Sequence, residues 1–195
     1  MTLPTTLSGL LPGYAELQCL SNFSFLQGAS HPEELVEQAA QLGYAALAIT
    51  DACSLAGVVR ALVAAEKHAL PLIIGSTLVL HDAPGAQPLS LVVLAQTREG
   101  YGNLSELITL GRSRAPKGEY RLCAGDIATP GAGQTHLRQL PECLAILAPP
   151  HGTPPEVVNA QAHWLAGAFP GRAWVGLTLL HGPRDDLHRA AVQHA

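Results

Sequence analysis

The chain is short of charge and almost without lysine. Only 13% of its 195 residues are Asp, Glu, Lys or Arg, and Lys67 and Lys117 are its two lysines; soluble domains average about 25% charged residues. With a formal net charge of -4, there is no basic field that would by itself mark a nucleic-acid-binding protein. The four cysteines, Cys19, Cys53, Cys123 and Cys143, contain no CxxC pair. Structural zinc sites use closely spaced pairs, so such a site is not expected, and a reducing compartment suits scattered thiols better than a disulfide framework does. No apolar run reaches the roughly 18 residues of a membrane span, and the first residues lack the basic, apolar and small-residue succession of a secretory signal. A soluble, cytoplasmic protein is expected.

Several catalytic signatures are missing as well. The nine histidines include no HxH or HExxH, the spacings that put two imidazoles on one metal from a single element. Gly131-Ala132-Gly133 lacks the Lys-Ser/Thr of a phosphate loop, and no Gly-x-Ser-x-Gly occurs. His136, His151, His188 and His194 lie in polar or terminal segments and are expected to be solvated. His31 flanks a helix and reads as structural more readily than as a ligand.

What is present is a rhythm of strands and helices. Residues 1–13, with two prolines and several Thr, Ser and Gly, read as a flexible leader. Strands are expected over 15–20, 45–50, 71–80 (with a bend at Gly75), 89–96, 143–148 and 173–180. Helices are expected from a Ser30 cap with Pro32 in the first turn and Glu33 at the capping-box position, and over 57–69, 99–110, 154–169 and 183–195. Residues 111–141 break the rhythm, with 130–133 expected to be flexible. Such alternation predicts an α/β domain with a mostly parallel sheet or barrel.

Two constellations stand out. The apolar strand 45–50 ends in Asp51, and a carboxylate at the C-terminal end of a barrel strand is where such folds place metal ligands and catalytic groups. Metal ligand, general base and cap all remain open for it; the turn and helix that follow favour the cap. Arg112, Arg114, Lys117 and Arg121 lie close together. They form either a phosphate-contacting patch or a solvated loop.

Taken in order, Tyr14-Ala-Glu-Leu-Gln-Cys-Leu-Ser-Asn-Phe-Ser-Phe-Leu-Gln-Gly-Ala-Ser30, Leu47-Ala-Ile-Thr-Asp51, Leu72-Ile-Ile-Gly-Ser76, Leu91 to Leu104, Lys117-Gly-Glu-Tyr120 and Phe169-Pro-Gly-Arg-Ala-Trp-Val175 resemble the polymerase and histidinol phosphatase (PHP) domain. The likeness is closest to the version at the N-terminus of error-prone C-family bacterial DNA polymerases. The resemblance implies a distorted TIM-like (β/α) barrel over residues 14–195, expected here to stop before the family's last strand segments. It implies a cluster of zinc, manganese or iron at the strand ends of metal-binding members. The corresponding positions here are Gln18 and Leu20, Asp51 and Ala52, Thr77, Ser90 and Thr178. Leu20 and Ala52 have no donor atom, and neutral Gln and Thr oxygens replace imidazole and carboxylate poorly.

A degenerate, metal-free domain with no catalytic residue is therefore expected, structural or interacting in role. It would belong to a DNA-directed DNA polymerase acting in translesion synthesis and repair. Its implied partners are the rest of that chain and, through it, DNA, the sliding clamp and other replisome proteins. The alternatives are a metal-dependent phosphoesterase or 3′-5′ exonuclease, and a binding module working through the 112–121 segment.

Overall fold

The computed structural model describes residues 13–85 and 87–195, so the expected leader lies almost wholly outside the described residues. The described residues form seven strands: β1 (Ala15–Cys19), β2 (Ala46–Ile49), β3 (Leu72–His81), β4 (Leu89–Ala95), β5 (Leu122–Cys123), β6 (Cys143–Leu147) and β7 (Ala173–Val175). The helices are α1 (Pro32–Gln41), α2 (Val58–His68), α3 (Arg98–Ser113), α4 (Gly125–Ala128), α5 (Pro155–Ala168) and α6 (Asp185–Gln193). The sheet order is β1-β2-β3-β4-β6-β7, with β5 also paired to β3. It curls into an incomplete TIM-like barrel.

Strand direction follows from the length of each connection. Helical crossovers through α1, α2 and α5 return the chain so that β1, β2 and β3, and then β6 and β7, pair in parallel. Between β3 and β4 only residues 82–88 intervene, too few for a crossover. Asp82 and Gly85 take positive φ there, and β4 runs antiparallel to both β3 and β6. One reversed strand in an otherwise parallel sheet is the consequence. At Gly75 the β4 backbone comes so close that a Cβ would sit 2.5 Å from the Val93 carbonyl oxygen.

The period-2 alternation of the central strands sorts their apolar residues onto two faces. Leu89, Leu91 and Val93 of β4 and Cys143, Ala145 and Leu147 of β6 face outward and pack with Leu104 and Leu107 of α3 and Val158 and Leu165 of α5. A second cluster joins Leu47 and Ile49 to Val36 of α1 and Ala61 of α2. The inward residues, Val92, Leu94, Leu144 and Ile146 with Ile73, form a third cluster. They line a trough of about 750 Å³ walled by β1 and by Trp174 of β7.

Local differences from the sequence expectations have local causes. Helix α1 is capped by His31, not Ser30, because Pro32 is already the first helical residue; the reciprocal contact comes from Glu34, whose carboxylate accepts from the His31 amide at 2.8 Å. Strand β7 ends at Val175, and 176–180 carry no ladder, although Gly176 N–H still donates to Leu147 O at 2.7 Å. Helix α6 starts at Asp185, two residues after the expected Pro183. The segment expected to be flexible leads into a 3-10 helix, Ala132–Leu137, pinned by the fully buried Leu137.

The segment 139–142 holds three residues at positive φ, Gln139, Leu140 and Glu142. Arg172 fixes it by donating to the carbonyls of Gln139 (2.8 Å), Leu140 (3.0 Å) and Cys143. Glycine placement in α3 responds to the same segment. A Cβ on Gly100 would run into the Glu142 carbonyl, whereas Gly102 has open space around it. Gly100→Ala is expected to destabilise by about 1–3 kcal/mol through overpacking, and Gly102→Ala to stabilise by about 0.5–1 kcal/mol through helix propensity. Urea midpoints of the two variants check this; equal signs would contradict the packing described.

Candidate functional site

Asp51 lies two residues beyond β2 and is 1% exposed. Its carboxylate accepts from the Ser21 amide (2.8 Å), the Ser21 hydroxyl (2.8 Å) and the Ser24 hydroxyl (2.6 Å). Ser24 Oγ in turn accepts from the Ala52 amide at 2.9 Å. The Asp51 carbonyl accepts from Ser76 Oγ (2.8 Å) and from the Thr77 amide (3.2 Å). A carboxylate offers about four lone-pair sites; three are filled by donors of one loop. On its remaining side, a Cβ on Gly57 would stand 2.9 Å from Oδ2. Asp51 therefore faces the loop after β1. The expectation that it caps the following helix is corrected: α2 begins at Val58 behind Gly57, with no side-chain cap.

The other family positions fall into two groups. Gln18, Leu20, Ser90 and Thr178 come together around a cleft of about 590 Å³ at the strand ends. Ala52 and Thr77 pair with each other by an isolated parallel bridge beside Asp51, and the buried Thr77 hydroxyl has no partner. What faces the cleft from these positions is an amide, two hydroxyls and an isobutyl group.

Two further cleft residues, Glu16 and His151, were not singled out from sequence. Glu16 accepts from Tyr14 OH (2.8 Å) and from the Gln18 amide (2.9 Å). The Tyr14 phenol is pushed up to about 12, chiefly by that hydrogen bond and then by burial. His151 Nε2 donates to the Thr178 carbonyl at 2.9 Å. The expectation of a solvated His151 is thus corrected, as it is for His188, only 4% exposed. His151 stands four residues beyond the end of β6 and His188 one turn before the buried Ala191; neither placement marks the residue in the sequence.

Among the described residues, no group of three or more His, Cys, Asp or Glu side chains could hold a metal ion. The four thiols are free. Burial pushes Cys19 and Cys53 up to about 11 and Cys143 to about 12, which disfavours the thiolate form of a nucleophile. The donor set does not fit the zinc, manganese or iron cluster implied for metal-binding relatives.

The basic segment does not form one patch. Arg112 is turned inward. It donates to the carbonyls of Ala52 (3.2 Å), Cys53 (3.1 Å), Gly118 (3.3 Å) and Glu119 (3.3 Å), and its guanidinium lies 5.4 Å from the centre of the Tyr120 ring. Arg114 pairs at 2.7 Å with Asp126, whose side chain is 11% exposed. Lys117 and Arg121 are exposed and have no ion-pair partner among the described residues.

The PHP domain family matches residues 16–152. The chain is 66% identical to an error-prone DNA polymerase of Bordetella parapertussis over 97% of its own length and 18% of that protein. It is 55% identical to one of Ralstonia pickettii over 94% of its own length and 17% of that protein. It thus spans under a fifth of these relatives. Among solved structures, a protein from Bifidobacterium adolescentis assigned as a metal-dependent phosphoesterase superposes with a TM-score of 0.59 at 15% identity, covering 94% of this chain and 85% of that one. An amidohydrolase from Chromobacterium violaceum gives 0.61 at 17%, covering 94% and 83%. The structural likeness concerns the fold, and the family match covers most of the chain: this chain belongs to the PHP domain family.

Proposed function

We propose that residues 14–195 act as the PHP domain of an error-prone DNA polymerase, of the kind used in translesion synthesis and repair, and that the domain binds no metal and is not itself catalytic. In this reading it supports the polymerase core, and contacts to DNA and to the sliding clamp fall to the rest of that chain. One observation carries the proposal. The family's ligand positions hold Gln18, Leu20, Ala52, Thr77, Ser90 and Thr178, and the single carboxylate, Asp51, is used up by Ser21 and Ser24.

Phosphoesterase or exonuclease chemistry requires a Lewis acid at the phosphate and an activated water. The neutral amide and hydroxyl oxygens at these family positions supply neither. Phosphate binding through the basic segment is disfavoured because Arg112 directs its donors into the protein and Arg114 is paired with Asp126.

Elemental analysis of the purified chain, loaded separately with zinc, manganese and iron(II) and then desalted, is expected to give far less than one metal per chain. Stoichiometric metal that disappears in Asp51→Asn would overturn the proposal. The same variant has an expected structural effect. Losing charge-assisted bonds to Ser21 and Ser24 should cost about 1.5–3 kcal/mol, measured as a lower urea midpoint with or without chelator. Unchanged stability would point instead to a carboxylate kept for a ligand.

A further inference from the structure

A cluster that touches the family positions only at the Thr178 carbonyl ties the carboxy-terminal segment to the barrel. His151, in the loop after β6, and His188, in α6, stack with ring centres 4.2 Å apart and planes at 21°. A carbonyl only accepts, so the 2.9 Å contact from His151 Nε2 to Thr178 O places a hydrogen on Nε2. His151 Nδ1 then faces Asp185 Oδ1 at 3.8 Å. Asp185 accepts from the Leu180 and Gly182 amides, each at 3.3 Å, closing the turn that leads into α6. His188 Nε2 is buried with no partner.

We propose that the stacked His151–His188 pair is a pH-sensitive latch: with His188 neutral it holds α6 and residues 177–180 against the loop after β6, and protonation of His188 releases them. The chemistry is asymmetric. His151 Nδ1 faces the Asp185 carboxylate. A proton on His188 adds a charge that is buried, unpaired at Nε2 and stacked on the first ring, and an unpaired buried charge is costly. Burial, and next to it His151, hold His188 below the ordinary imidazole value, against the pull of Asp185. Burial works against the charge of Asp185, but the amides of Leu180, Gly182 and His181, with His151, hold its carboxyl below its usual range.

The other charged groups nearby do not change this. Arg184 lies at the start of α6 and reaches over Gly152. On α5, which packs on α6, Glu156 and His163 are exposed, and His163 is bonded back to Asn159 O at 2.9 Å. The sign follows from linkage. A base whose folded value is depressed contributes stability above its unfolded value, near 6.5 for histidine, and that stability is lost as pH falls below it. The latch therefore closes above that value and opens under mild acid. Because Thr178 and His151 line the strand-end cleft, opening also removes one cleft wall. This inference stands whether or not the cleft binds metal.

Hydrogen exchange of the whole chain tests it, with rates corrected for intrinsic chemistry and compared with the β4 amides. Protection of residues 185–193 is expected to fall about tenfold relative to β4 between about pH 7.5 and about pH 5.5. The fall should vanish in His188→Phe, which keeps a ring but cannot titrate; His188→Gln serves if phenylalanine disturbs the packing. No selective loss of protection in the unaltered chain, or a loss that survives in the folded His188 variant, would overturn the proposal.

Discussion

The strand-end region depends on one constraint: a buried carboxylate must find donors. Asp51 meets it with the amide and hydroxyl of Ser21 and the hydroxyl of Ser24. An unpaired ionised group in that position would cost several kcal/mol. The same bonds dictate the course of the loop after β1. Ser24 then orders the Ala52 amide, and the Asp51 carbonyl collects Ser76 and Thr77. The ends of β1 and β2 and the middle of β3 are thereby fastened at one point.

Two guanidinium groups do similar work where the chain is irregular. Arg112 gathers carbonyls of the turn after Asp51 and of the 118–119 loop, while Tyr120 accepts from the Val79 amide at 3.0 Å. Arg172 gathers the carbonyls of the positive-φ segment before β6. Backbone polar groups in such loops have no ladder to join, and a planar, permanently charged fork satisfies several at once. Arginine is thus used here for loop closure.

Much of the fold could be read from the residues because it follows from local periodicity. The β2 strand and helices α1, α2, α3 and α5 lie within a few residues of their expected places. The reversed β4 is implied by the shortness of residues 82–88, a count of residues more than a pattern. The length of β7 was not legible, since whether 176–180 pairs depends on what lies beside it. Partner choice was the least visible quantity. Arg112 and Lys117 look alike in a sequence, but one is spent on carbonyls and the other is exposed. Asp51 looked like a helix cap because its partners, Ser21 and Ser24, lie about thirty positions earlier. His151 and His188 looked solvated because stacking across elements leaves no mark in a single segment. By contrast, the convergence of Gln18, Leu20, Ser90 and Thr178 on one cleft was implied by family resemblance, not by spacing.

The central claim is that Asp51 serves the loop after β1 and not a metal. A double-mutant cycle between Asp51→Asn and Ser24→Ala, read from urea unfolding in chelator and again in excess zinc, tests it most directly. The account predicts a coupling of about 1–3 kcal/mol that is the same in both conditions. Additive single effects, or a coupling that appears only with zinc, would contradict it.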